Sequence, residues 1–315
     1  TMGRAIAGIE CALWDIKGKA YGVPVHELFG GPFRDRVRLY WSHCSSYRAR
    51  YPELLGTPPL RTYQDITDLG KEVAERGFTA LKTNITIPGD PADVYATQDG
   101  VLQPGIVDRI TSLIEAFKQG AGDDFDIALD VNYNFKTQGA TKVANALEPY
   151  GMMWLEMDTW DALALRQVTR STSTTICSGE SINTLVDYRP FLELKAMDVG
   201  MVDVPWTGFA QSKLIIDLAE SHDIVMAPHN YYSHLSTFMA GHLCASTRSV
   251  QIMETDVDAA PWRDEFFTEL PQIEDGHLVI SDAPGWGTDL NEAAIAKRPW
   301  QGSLPAPGVL NLPRR

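Results

Sequence analysis

The sequence predicts an α/β fold, a (β/α)8 barrel of modified TIM type, on three observations. Short apolar runs of strand length alternate with longer segments of helical periodicity. About eight such units follow one another over roughly 215 residues, which suits a closed barrel better than an open sheet. An ionisable residue also closes nearly every run from the second onward, and from Asp130 these recur every 23 to 26 residues, one unit apart. Strands covered on both faces read as continuous apolar runs, as these do.

The elements follow in order. Ile6, Ile9, Leu13 and Ile16 recur at helical spacing with Ala7 and Ala12 between them, an amphipathic helix. Gly18, Gly22 and Pro24 punctuate its end, a short helix covers Val25–Phe29, and Gly30-Gly31-Pro32 breaks the chain. Strands are expected at 37–41, 78–82, 127–131, 152–155, 175–177, 199–203, 224–227 and 250–253. Helices are expected at 64–76, 106–118, 141–148, 160–170, 185–194, 208–221 and 235–246. The segment 256–315 has no such unit; "EDGHLVISDAPGWG" reads as a turn, a strand and a glycine-rich stop packed outside the barrel.

Composition narrows the function classes. At 44% hydrophobic and 22% charged residues the chain is an ordinary globular protein. Its formal net charge of −14 repels nucleic acid and anionic membranes, so neither is an expected partner. An anionic substrate stays open, because a bound metal reverses the field locally. Cys11, Cys44, Cys177 and Cys244 form no C-x-x-C pair, which argues against structural zinc and a disulfide framework and for a reduced, cytoplasmic setting. No apolar run has the length of a membrane span.

The residues at the run ends carry the chemistry. They are Lys82, Asp130, Glu156, Glu180, Asp203, His229 and Glu254. In a barrel this phase brings all of them to the C-terminal mouth. Three carboxylates on strands three, four and five would repel one another there, and a divalent cation resolves that conflict. All-oxygen ligation by Asp130, Glu156 and Glu180 suits Mg2+, with Mn2+ as the alternative. Such a site makes removal of a proton beside a carboxylate feasible, given a base within reach. His229, with an unperturbed pKa of about 6.5, is the candidate base. Asp203, one strand over, would bond its far ring nitrogen and fix the tautomer. Lys82 faces the mouth from the other side. Among the other histidines, only His43 is kept as a substrate contact. The stretch "SSYRARYPELLGTPPLR" offers Arg48, Arg50 and Arg61 either to solvent or to a distal substrate group.

These motifs, "AIAGIECALWDIKGKAYGVPVHELFGG", "LDVN", "WLE", "SGE", "MVD" with "MAPH", and "DAPGWG", resemble the enolase superfamily in its mandelate racemase-like branch. The resemblance covers nearly the whole chain and implies Mg2+ on Asp130, Glu156 and Glu180 and an Asp203–His229 dyad as base. It also implies Glu254 as a carboxylate bonding the substrate carboxylate or enolate. The use of Lys or His bases with Mg2+ in this superfamily is itself a known pattern.

Four departures shape the expected reaction. Members with two opposed bases carry Lys-x-Lys on strand two, whereas this chain has Lys82-Thr83-Asn84. That Lys-x-Asn pattern is similar to a galactonate dehydratase-like subset, but the subset's acidic histidine is replaced here by Asn132. Met157-Asp158 stands where Glu-Pro is usual. Finally, family members begin with an α+β capping domain, and this chain is expected to start in its last helix. The expected division is 1–34 as the end of the cap and linker, 35–255 as the catalytic barrel, and 256–315 packing outside the barrel and against the cap. The resemblance implies a Mg2+-dependent acid-sugar dehydratase that yields a 2-keto-3-deoxy acid. Alternatives are a racemase or epimerase, a cycloisomerase, and a non-catalytic homologue that binds metal and ligand. The implied substrate is a small sugar carboxylate, with Asn84, Asn132 and His43 expected to touch it, and the implied assembly a dimer or octamer.

Overall fold

The structure, a computed structural model, describes residues 2–299. Eight short parallel strands form its centre: β1 (Arg36–Ser42), β2 (Ala80–Asn84), β3 (Asp126–Asp130), β4 (Trp154–Glu156), β5 (Ile176–Ser178), β6 (Val199–Gly200), β7 (Val225–Met226) and β8 (Met253–Asp256). Each pairs with the next from β1 to β7, and β8 pairs with β1. The intervening helices are α2 (Tyr63–Glu75), α3 (Ile106–Ala121), α4 (Thr137–Leu147), α5 (Ala162–Thr169), α6 (Leu185–Glu193), α7 (Phe209–Ser221) and α8 (His234–Ala245), after a leading α1 (Met2–Tyr21). Among the described residues no helix is long and apolar enough to cross a membrane.

The result is an α/β fold on a mostly parallel sheet. The ladder is not continuous between β7 and β8. That seam holds one isolated bridge, Met226 to Val250, and bonds from Gln251 N to Met226 O and from Glu254 N to Pro228 O. The eighth strand, expected at 250–253, lies three residues later. Val250 N turns back onto Arg248 O, so regular pairing starts only where Met253 meets Leu39 of β1. The second strand likewise begins two residues late, and Lys82 falls in its middle.

Alternation along the strands sorts the core into two layers. Leu39, Trp41, Leu81, Ile127, Leu129, Leu155, Ile176 and Val202 face the helices. Tyr40, Ala80, Ala128, Trp154, Cys177, Val199, Met201, Ala227 and Ile252 fill the interior. Adding two residues to six of the interior positions gives Lys82, Asp130, Glu156, Asp203, His229 and Glu254. The same face that packs the interior therefore carries each ionisable side chain to one end. Glu180 breaks this rule, lying three residues after Cys177. Gly179 between them has φ +113°, a conformation side-chain-bearing residues rarely adopt, and this turns the chain.

The helices form for local reasons too. Thr62 and Asp65 make a reciprocal capping box at α2, whose buried side is Ile66, Leu69, Gly70 and Val73. Asp161 caps α5 and Thr184 caps α6. In α1 the structure shows which face of the amphipathic helix packs. Ile6, Ile9, Leu13 and Ile16 are exposed, while Ala7, Cys11 and Gly18 face the protein. Small residues win that face because the neighbours come close: a Cβ on Gly18 would lie 2.9 Å from Gly285 Cα. Glu10, on the same side, accepts from Phe209 N and Ala210 N and so caps α7.

The segment after β8 forms a hairpin, Ile273–Glu274 with His277–Val279, and its second strand pairs antiparallel with Arg36, Val37 and Arg38 of β1. Further on, Trp286 is buried against α1, donating from Nε1 to Cys11 O while its backbone N donates to Asp15. The expected range for this segment extends through 300–315, which lie outside the described residues.

Candidate active site

Register explains how the carboxylates become neighbours. Asn84 of β2 lies opposite Asp130 of β3, and Asp130 lies opposite Glu156 of β4. The Asp130 carboxylate accepts from Asn84 Nδ2 at 2.9 Å, Asn132 Nδ2 at 2.7 Å and Asn132 N at 2.7 Å. Asn132 reaches back this way because it holds a left-handed φ of +47°. Both asparagines are thus engaged with Asp130, and Asn84 Oδ1 also accepts from Ser46 Oγ.

Lys82 is buried between two carboxylates. Its ammonium donates to Glu156 Oε1 and Oε2 at 3.1 and 3.0 Å and lies 2.9 Å from Glu254 Oε1. Burial pulls its pKa down, but Glu156 and Glu254 outweigh burial and hold it well above the usual value. Glu156 also accepts from Trp154 Nε1 at 3.2 Å. Burial raises Glu156 to about 8 against the pull of Lys82, and raises Asp130 as well.

Across the mouth, Asp203 and His229 sit opposite each other on a parallel bridge. His229 Nδ1 is 2.7 Å from Asp203 Oδ2, which also accepts from Tyr232 OH at 2.8 Å. That bond leaves His229 Nε2 facing Glu180 Oε2 at 2.9 Å and Glu254 Oε2 at 3.7 Å. Burial lowers the imidazole pKa, but Glu180, Glu254 and Asp203 together raise it well above its ordinary value. The same contact lets His229 hold Glu180 down at about 2 against burial.

Three further residues join this site to which the sequence reading gave no role in it. Asp256 Oδ1 is 2.9 Å from His43 Nδ1. Its signal was the alternation Glu254-Thr255-Asp256, which points both acids the same way. Ser42 donates to Glu254. Asp158 is buried, and burial followed by Glu180 pushes its carboxyl well above the usual range.

Six acidic side chains, Asp130, Glu156, Asp158, Glu180, Asp203 and Glu254, thus lie at this mouth with the two basic groups Lys82 and His229. The donor set fits a hard divalent cation. It is all oxygen, two members are adjacent in register, and burial disfavours the charge that a cation would compensate. Among the described residues, however, no three acidic, histidine or cysteine side chains converge on one point. Lys82 draws Glu156 toward Glu254, and His229 draws Glu180 toward itself.

Comparison with known proteins shows the family. Residues 65–294 match the family described as Enolase C-terminal domain-like, and residues 1–30 match the Mandelate racemase / muconate lactonizing enzyme, N-terminal domain. The D-xylonate dehydratase of Haloferax volcanii is 30% identical, with 92% of this chain and 68% of the relative covered. A D-galactonate dehydratase family member from Oceanicola granulosus is also 30% identical, covering 96% and 76%. Among solved structures, a Burkholderia xenovorans protein provisionally named an L-alanine-DL-glutamate epimerase, bound to magnesium and fumarate, is 38% identical. It superposes with a TM-score of 0.90 over 94% of this chain and 76% of its own. The chain belongs to the enolase superfamily, in its mandelate racemase and muconate lactonizing enzyme branch.

Proposed function

We propose that this chain is a Mg2+-dependent acid-sugar dehydratase acting on a small sugar carboxylate. The observation that carries this reading is the Asp203–His229 dyad with no second lysine on β2 opposite it. His229, held by Asp203 at 2.7 Å, presents Nε2 to the interior, while Asn84 stands where two-base members carry a second lysine. Relatives named as dehydratases of xylonate, gluconate and mannonate support the substrate class.

Asp130, Glu156 and Glu180 would hold the cation. When bound, it lowers the cost of the negative charge that develops when a proton leaves the carbon beside a carboxylate. His229 Nε2 takes that proton, and Asp203 stabilises the imidazolium that results. Lys82 and Glu254 orient the substrate carboxylate. The 3-hydroxyl then leaves, and the enol becomes a 2-keto-3-deoxy acid. We also read the eight strands as a closed barrel over 35–255, with the chain before it leading in and 256–299 packed outside. The hydrogen bonds across the β7–β8 seam support closure.

A second reading is epimerisation, favoured by the name of the 38% identical structure and by Lys82 as a second group at the mouth. One assay separates the two. Incubate the protein with Mg2+ and a panel of aldonic and aldaric acids, and trap 2-keto acids with semicarbazide. Dehydration predicts keto acid from at least one member. Inversion at C2 without keto acid across the panel would overturn it.

A further inference from the structure

The departing hydroxyl of a dehydration needs a proton, and Asn132, at the position of the family's acidic histidine, has only an amide to offer. The mouth holds a second histidine–carboxylate pair. His43 follows β1 and Asp256 ends β8, and the parallel pairing of these strands brings them together. His43 Nδ1 is 2.9 Å from Asp256 Oδ1, so Nε2 is the nitrogen left for another partner. The His43 side chain is 20% exposed and that of Asp256 only 6%, which puts the imidazole at the accessible end and the carboxylate behind it.

The ring is also fixed in place. It stacks on Tyr47 with centroids 4.5 Å apart and planes within 3°. Its other neighbour is Tyr231, at 5.5 Å. Tyr231 lies 5.0 Å from the His229 ring, so one tyrosine stands between the two imidazoles. His43 holds this position at a φ of +48°, unfavourable for a residue with a side chain. Such strain persists where surrounding contacts over-determine it and is concentrated at functional positions.

We propose that His43, positioned by Asp256, is the general acid that protonates the leaving 3-hydroxyl. The assignment rests on the dehydratase reading. The C2–H bond breaks and its proton goes to His229, while its electron pair passes into the developing enol. The C3–O bond breaks as His43 Nε2–H gives its proton to the departing oxygen, and water leaves. Tautomerisation of the enol places a proton on C3. His229 then loses a proton to solvent and His43 regains one, so the cycle closes without an oxidant or reductant. Burial lowers the His43 pKa, but the contact with Asp256 raises it on balance, which keeps the imidazolium available. The other charged groups facing it are Glu254 and Lys82.

The test compares hydroxide with fluoride as leaving group, since fluoride needs no acid. The probes are the best aldonate of the panel and its 3-deoxy-3-fluoro counterpart, which yield the same keto acid. For His43→Asn, water loss should fall by about 100-fold or more, the usual worth of a general acid. Fluoride loss should stay within about fivefold, and exchange of the C2 proton in D2O should persist. Retained fluoride loss also shows that the variant is folded. Asp256→Asn should move the alkaline limb of water loss to lower pH and leave fluoride loss unmoved. Equal falls for both leaving groups, or unchanged water loss in His43→Asn, would overturn the assignment. If the wild-type protein eliminates neither group, the dehydratase reading itself fails and this assignment falls with it.

Discussion

His26 and His242 are 216 positions apart, yet their Nδ1 atoms meet at 2.8 Å in a site only 1% exposed. One ring must donate and the other accept, so the two are not both imidazolium; His242 Nε2 also reaches Trp286 O at 3.3 Å. Burial lowers both pKa values, that of His242 to about 3 with His26 adding to the effect. A depressed histidine resists protonation in the folded state and accepts it in the unfolded one. Stability therefore falls as pH drops below about 6.5, and the loss continues toward the folded value. Replacing His242 by Gln should remove about 2 kcal/mol of the wild-type loss between pH 7 and pH 5. Urea melts at the two pH values check this; parallel losses in both proteins would contradict it. No local pattern in the sequence announces such a pair, because only the fold brings its halves together. Arg48 was illegible for the same reason. It is offered by the sequence to solvent or substrate, but the structure buries it against Asp258 and Glu72. Arg48→Met leaves Asp258 buried and unpaired, and should cost about 3–5 kcal/mol in denaturant unfolding.

At the scale of elements, α2 and α3 cross at a contact built from glycines. A Cβ on Gly120 would lie 1.9 Å from Thr67 O, and one on Gly70 would lie 2.9 Å from Phe117 O. Alanine is the better helix former, yet here the helices would have to separate. Gly120→Ala should lose about 1–3 kcal/mol by urea unfolding, and a neutral or stabilising result would show that the crossing yields. Helix positions were legible in the sequence within a few residues, since 3.6-residue periodicity and caps are local signals. Strand offsets were less legible. The eighth strand shifted because its start depends on pairing with β1, far upstream in the chain, where Leu39 meets Met253, and nothing in its own run marks that boundary. Which face of α1 packs was not legible, for a physical reason. Periodicity shows that a helix has two faces, and does not show which face a close-packed neighbour will select.

For the whole molecule, the spacing of the ionisable residues was the strongest signal in the sequence. Six lie two positions beyond an interior residue on or just beside their own strands, and the fold gathers them as that phase requires. The Asp203–His229 contact was legible; the other pairwise contacts were not, because they depend on which cation reaches which carboxylate. If Asp130, Glu156 and Glu180 hold Mg2+, the metal stabilises the folded state by mass action. At a hundredfold excess over Kd the gain is about 2.7 kcal/mol. A Mg2+ titration of the melting temperature should show a saturating rise that Asp130→Asn abolishes. An equal rise in the variant would place the metal elsewhere. The most direct test of the proposed chemistry is to follow the aldonate panel by proton NMR in D2O with Mg2+, for the wild-type protein and for His229→Asn. The proposed base predicts loss of the C2 proton signal and growth of a 2-keto-3-deoxy acid in the wild type, and neither in the variant, although the variant retains its Mg2+ response. Keto acid formation by His229→Asn would contradict it.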